Sequence, residues 1–196
     1  MRYFLVCVLM LSINWLAAQD IKKETVKPGF YGAVSTGYSA GESGVFPLYQ
    51  VVSGVHYKNW KLGMGGAFDV YKYKSFPVFI SAETSFGKKQ GGFGYVNGGY
   101  NIPAKANNEP WNNFKTTDRF VGGFYIDAGV GIRFKLGQRN NLLFSSGYSY
   151  KRIKNIIGYT YPCLTTPCNE DVYQYQYGLG RIVTKVGWEF NAQAKK

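Results

Sequence analysis

Long apolar runs, histidine and acidic side chains are all scarce in this 196-residue chain. After residue 18 no segment stays apolar over the roughly 20 positions that a membrane-spanning helix needs, which excludes a helical membrane protein. His56 is the only histidine, so a Ser-His-acid hydrolase or a histidine metal site has little to draw on. We therefore expect no catalytic residues, no metal site and no cofactor.

The N-terminus has the parts of a secretory signal peptide. A positive Arg2 precedes an apolar run over residues 3–11, and small residues end at Ala18. This pattern predicts cleavage after Ala18, with residues 1–18 as the signal and 19–196 as one exported domain.

Glycine and aromatic residues are abundant: 25 Gly, 17 Tyr, 14 Phe and 4 Trp. Eight stretches alternate apolar with small or polar residues, the period-two pattern of β-strands. They are Phe30–Tyr38, Phe46–Tyr57, Trp60–Tyr71, Phe76–Phe86, Phe93–Ile102, Phe124–Lys135, Leu142–Ile153 and Tyr173–Phe190. Because one face of most stretches is apolar with rings near its ends and the other is small and polar, the sequence predicts an all-β, antiparallel, up-and-down transmembrane barrel of about eight strands. Rings on both faces of Phe93–Ile102 leave its inward side unassigned.

The polar strand faces carry scattered charges of both signs. An eight-stranded barrel is only wide enough to be filled by side chains, and charges in such an interior need partners. We therefore expect a lumen plugged by an ionic network, and the alternative is that the same residues line a narrow path for small solutes. The predicted network consists of Asp69, Glu83, Asp127, Arg133, Arg181, Lys185 and Glu189.

The last strand, Arg181–Phe190, alternates toward an aromatic end. It resembles the closing strand of outer-membrane proteins, and with the signal peptide and the strand pattern the chain is similar to the outer-membrane β-barrel domain family, of the small OmpA/OmpX kind. Many members stop at the aromatic residue, whereas here a tail, Asn191–Lys196, follows. The resemblance implies residence in the outer membrane of a Gram-negative bacterium, contact with its lipid and lipopolysaccharide, and recognition by the barrel-assembly machinery.

Two long connections, residues 103–121 and 154–172, are predicted on one side of the barrel, as external loops are. The second holds Cys163 and Cys168, whose proximity in an exported chain favours a local disulfide. The first carries residues suited to contact with an extracellular protein or glycan, namely Trp111, Phe114, Lys115 and Arg119.

The chain is basic, with 23 Lys and Arg against 11 Asp and Glu. Lysines such as Lys88, Lys89, Lys151 and Lys154 are assigned to turns and loops, where they would keep the exported chain soluble in transit; the alternative is that the basic charge attracts phosphorylated lipid headgroups. An exported protein without a recognition motif is not expected to bind nucleic acid. We expect a structural or surface-binding role; the alternatives are a narrow channel and, more remotely, a lipid-modifying enzyme or a soluble exported β-barrel that binds a small ligand.

Overall fold

The computed structural model describes residues 28–87, 91–104, 115–160 and 170–192, and these residues form antiparallel strands joined by turns. No helix in this part of the chain is long and apolar enough to cross a bilayer. The strands are β1 (Gly29–Gly41), β2 (Gly44–Tyr57), β3 (Trp60–Asp69), β4 (Ser75–Phe86), β5 (Gly92–Pro103), β6 (Lys115–Val121), β7 (Gly123–Lys135), β8 (Asn140–Thr160) and β9 (Glu170–Ala192).

The strands close into a ring with eight positions. Strands β1 to β5 pair in chain order, β5 pairs with β7, β7 with β8, and β8 with β9. The first and last strands complete the ring, with Ala40 opposite Ile182 and Phe30 opposite Ala192. This closure leaves no free edge in the ring. The predicted up-and-down barrel of about eight strands is confirmed.

One ring position is shared by β6 and β7, which both pair with β8. Val121 lies opposite Lys154, and Tyr125 lies opposite Lys151. The β6–β7 side therefore uses one residue more than β8, which is the geometry of a bulge. Gly122 lies at this break, where an added Cβ would be 2.0 Å from a backbone oxygen of β5. Only glycine fits such a close approach of two backbones.

The two ends of the barrel differ. At the end that we call the turn end, the connections are the short segments 58–59, 87–91 and 136–139, and β1 begins and β9 finishes there. At the other end, called the loop end, β1 and β9 stop pairing at Ala40 and Ile182, whereas β8 and β9 continue to pair as far as Thr160 and Glu170. The segments 115–121, 154–160 and 170–180 form a three-stranded sheet, the extension, that continues about 30 Å along β9.

The two long connections predicted at the loop end were partly wrong. Residues 103–121 and 154–172 were both expected to be loops, but 115–121, 154–160 and 170–172 are strands. The signal was weak because β6 is short and follows no clear alternation, and because basic residues crowd the sequence where β8 leaves the ring. Pairing with a long neighbour therefore extended both strands beyond what local pattern indicated.

The outer wall is apolar. Side chains such as Met64, Ile80, Val130 and Ile182 are 61 to 72% exposed, the reverse of a soluble protein, in which apolar side chains point inward. Outward rings lie near the turn end (Phe30, Tyr57, Trp60, Phe86, Phe134, Trp188 and Phe190) and near the loop end (Tyr38, Tyr49, Phe76, Tyr100, Phe124 and Tyr148). The two girdles are roughly 20 Å apart, the height of an apolar band in a membrane barrel. The sequence left the inward face of β5 unassigned, and the structure shows that it is the face with Phe93, Tyr95 and Asn97, which are buried.

Candidate functional site

The inward side chains fill the lumen with three charged clusters, one above another. All seven charges of the predicted network lie there, together with Lys61 and Lys151. The turn-end cluster contains Lys61, Glu83, Arg133 and Glu189; the central cluster contains Asp127 and Lys185; the loop-end cluster contains Asp69, Lys151 and Arg181.

The turn-end cluster has two cations and two carboxylates. Lys61 forms an ion pair with Glu189, and its Nζ lies 3.4 Å from Glu83 Oε1. Arg133 pairs with Glu83, and its Nε lies 3.4 Å from Glu189 Oε1. Asn141 Nδ2 donates a hydrogen bond to Glu189 Oε1 at 2.8 Å. Each carboxylate therefore faces both cations, and the formal charges of the cluster cancel.

The central cluster is a single ion pair with neutral partners. Lys185 Nζ lies 2.6 Å from Asp127 Oδ2 and donates to Gln50 Oε1 at 3.1 Å. The carboxylate also accepts from Tyr95 Oη at 3.2 Å and from Asn97 Nδ2 at 3.1 Å. The Lys185 ammonium lies 4.3 Å from the centroid of the Tyr95 ring, close enough for a cation–π interaction. This arrangement gives both buried charges several partners, as a dry interior requires.

The loop-end cluster has one carboxylate for two cations. Asp69 Oδ2 lies 3.0 Å from Lys151 Nζ and 2.5 Å from Arg181 Nη1, although Oδ2 lacks the directional geometry of a hydrogen bond. Lys151 also donates to Ser75 Oγ at 3.1 Å, and Arg181 Nη2 donates to Ser149 Oγ at 3.3 Å. The three charged side chains are fully buried. Within the described residues, Asp69 is thus the single carboxylate that Lys151 and Arg181 share.

Two lysines were not recognised as members of these clusters. Lys151 was assigned to a turn or loop, and this prediction was wrong because the side chain is completely buried. It shares its strand face with Ser149 and Ile153, so continuing the period of two along β8 would have shown its direction. Lys61 had been assigned to the inner face of β3, but not to the network. Its partner Glu189 is far away in sequence, and only barrel closure brings them together.

Aromatic and aliphatic side chains fill the spaces between the clusters. Phe93, Tyr95 and Leu143 form one group, and Tyr71, Ile153 and Leu179 form another at the loop end. A third group surrounds the middle of the lumen and consists of Tyr31, Leu48, Val52, Ala67, Phe79, Tyr125 and Val183. A cavity of about 50 Å³ beside Phe93 and Glu189 is large enough for only a few water molecules. Charged pairs and rings therefore occupy the barrel at successive levels.

The extension carries a row of rings on the face that continues the lumen. Tyr173, Tyr175 and Tyr177 alternate along β9, and Tyr173 and Tyr175 are 45% and 47% exposed. At its foot, the ring of Tyr73 lies 5.1 Å from Phe120 and 5.4 Å from Tyr177, measured between centroids. The lower rings are thus packed on the barrel mouth, whereas the upper ones are open to a ligand. The alternation of Tyr and Gln along this segment was a visible signal of that face.

The predicted surface-contact residues lie only partly in the described chain. Arg119 belongs to β6 and is exposed, and Lys115 is the first residue of the same strand. Trp111, Phe114, Cys163 and Cys168 lie outside the described residues, so surface contact through the two rings and the disulfide stay predictions.

His56 lies on β2 at the turn end, directly opposite Lys61 of β3 and Gly29 of β1. Its ring covers Gly29, because a Cβ added there would be 2.3 Å from the ring atom Cε1. Within the described residues, no three His, Cys, Asp or Glu side chains come together as a metal site would require.

No family model matches the chain, and no curated protein does so either. Among solved structures, the outer membrane protein OprG from Pseudomonas aeruginosa is 10% identical, with 89% of this chain and 100% of that chain covered and a TM-score of 0.54. The fold is that of an outer-membrane β-barrel. Two further barrels are similar: AlkL, with 11% identity, 90% and 96% coverage and a TM-score of 0.49, and the N-terminal domain of Pseudomonas aeruginosa OprF, with 14% identity, 84% and 96% coverage and a TM-score of 0.47.

Proposed function

We propose that this protein is an outer-membrane barrel with a closed lumen that binds an extracellular protein through its extension. The observation that carries the proposal is the contrast between the filled lumen and the exposed rings of the extension. Three charged clusters and their aromatic layers occupy the lumen, whereas Tyr173 and Tyr175 are half exposed on a sheet that rises from the mouth.

Orientation follows from the two ends. Outer-membrane barrels place short turns in the periplasm and long segments outside, so the turn end faces the periplasm and the extension faces the surroundings of the cell. The apolar wall then lies in lipid, with its loop-end girdle against lipopolysaccharide. Strand β9, which carries Trp188 and Phe190 near the turn end, is the segment offered to the barrel-assembly machinery.

Tyrosine rings suit the proposed contact. They bury a large area at a small cost in side-chain entropy and are enriched at the energetic centres of protein interfaces. We expect Tyr173→Ser with Tyr175→Ser to abolish binding in a screen of arrayed extracellular proteins. Gln174→Ser with Gln176→Ser is the matched control, because it changes the same strand on its other face. Binding to a glycan array alone, or equal loss in both variants, would contradict the proposed partner or the proposed face.

Single-channel recording in planar bilayers tests the closed lumen. We expect no steady open level from the purified protein, since solutes would have to displace paired charges. A stable current that changes with Asp127→Asn would instead support the alternative, a narrow channel for small solutes. Assays of lipid hydrolysis with the His56→Ala variant address the remaining enzymatic alternative, and we expect no activity to lose.

A further inference from the structure

A second cavity opens at the turn end, on the opposite side of the barrel from the extension. Its volume is about 300 Å³, at the lower limit of small-molecule sites. The turn-end cluster forms its floor, and the residues that matter most around it are His56, Lys58, Lys61, Arg133, Lys135 and Glu189.

The charge on this cavity is positive. Four of its described lining residues are cations, and Glu189 is its one carboxylate. At the floor, Lys61 and Arg133 are balanced by Glu189 and by Glu83 behind them. The charges of Lys58 and Lys135 at the rim remain without a described ion-pair partner, which leaves a surplus of two. Such a concave basic surface attracts small anions.

The carboxylate of Glu189 does not cancel this attraction, because its oxygens are already engaged. They accept hydrogen bonds from Asn141 at 2.8 Å and from Asn191 at 2.9 Å, and they pair with Lys61 and Arg133. The side chain is only 1% exposed. An anion that enters the cavity therefore meets donors, with the acidic group held behind them.

Two buried polar atoms at the cavity lack hydrogen-bond partners. They are Nδ1 of His56 and Nε of Arg133, which lies near Glu189 without hydrogen-bond geometry. Both side chains are held in place, His56 over Gly29 and Arg133 by its bonds to Glu83 and Ser85. Buried polar atoms are almost always satisfied in folded proteins, and the nitrogen atoms of these two lining side chains are the kind of donor that an oxygen-rich guest requires.

We propose that the turn-end cavity is a binding site for a small, multiply charged oxyanion, with phosphate or dicarboxylate chemistry. The inner donors orient the anion, and Lys58 and Lys135 supply the net charge that retains it. The proposal does not depend on what the extension binds, because the two surfaces lie at opposite ends.

The test uses the purified full chain in detergent micelles at constant ionic strength. Inorganic phosphate and succinate are titrated separately, with glucose as the neutral comparison, while side-chain nitrogen signals of Arg133 and His56 are followed by NMR. Saturable shifts with either anion and none with glucose are expected. The anion that saturates identifies the chemistry, phosphate or carboxylate.

Variants locate the site. Because one exposed charge contributes little to binding, both rim lysines are replaced together. We expect Lys58→Gln with Lys135→Gln to weaken binding by about tenfold. Lys72→Gln with Lys74→Gln removes the same charge at the loop end and should change the affinity by less than about twofold. His56→Phe keeps the ring over Gly29 and removes its nitrogens, with an expected loss of about fivefold to tenfold. The proposal is overturned if the shifts saturate with neither anion, or if the two lysine-pair variants lose the same affinity. Unchanged heat-modifiable migration on SDS gels verifies that each variant is folded.

Discussion

Replacing Asp69 by Asn tests whether buried charge balance stabilises this barrel. The variant keeps the size and a hydrogen-bonding oxygen of the side chain but removes the only described carboxylate near Lys151 and Arg181. Both cations are completely buried. After the substitution two adjacent positive charges share a dry interior, so we expect a large loss in the free energy of unfolding.

The distances give the scale of the effect. With an effective dielectric constant near 20, an ion pair at 2.5 to 3.0 Å is worth about 6 kcal/mol before desolvation is subtracted. Most of that gain offsets the cost of burying the ions, yet removing one partner of a buried pair still costs about 3 to 5 kcal/mol. The two remaining cations also repel each other, which places Asp69→Asn at the upper part of that range.

Urea unfolding in lipid vesicles, followed by tryptophan fluorescence and heat-modifiable migration, measures this loss. Asp171→Asn makes the same chemical change at an exposed position of the extension and should stay within about 0.5 kcal/mol of the parent protein. Lys151→Met leaves Asp69 and Arg181 as a balanced pair, so it should cost clearly less than Asp69→Asn. The reasoning is refuted if Asp69→Asn unfolds within 1 kcal/mol of the parent or if Lys151→Met is the more damaging change.

Three further predictions concern the wall and the loop. A Cβ at Gly99 would lie 2.0 Å from a backbone oxygen of β4, whereas one at Gly98 meets nothing within 4 Å; Gly99→Ala should therefore cost about 1 to 3 kcal/mol in urea unfolding, and equal effects of the two alanines would contradict this placement. Met64 is 72% exposed on the wall, so Met64→Arg should cost about 2 to 4 kcal/mol in vesicles, and a smaller loss in vesicles than in detergent would argue against lipid contact. Cys163 and Cys168 should react with a thiol reagent only after reduction, and rapid labelling of the unreduced protein would exclude their disulfide.

How far the sequence predicts the site depends on whether local alternation is preserved. Asp127 and Arg133 lie on β7, where apolar and small residues alternate without interruption, and the period of two places both inside the barrel. Lys151 lies where lysines and arginines occur on both faces of β8, so the composition around it concealed its burial, and only the period of two continued from Ser149 indicates its direction. The rings on both sides of β5 posed the same problem, since either face could have been placed against lipid.

Alternation of side chains and the scarcity of long apolar runs were sufficient to predict a closed antiparallel barrel, because unpaired backbone groups have no partners in a membrane. Which charges meet across the lumen was not predictable in this way. Lys61 reaches Glu189 only because closure brings β3 and β9 to the same level of a narrow interior, and the extension exists because β8 and β9 keep pairing beyond the last partner of β1. Both features depend on strand register, which is set by contacts between residues distant in sequence.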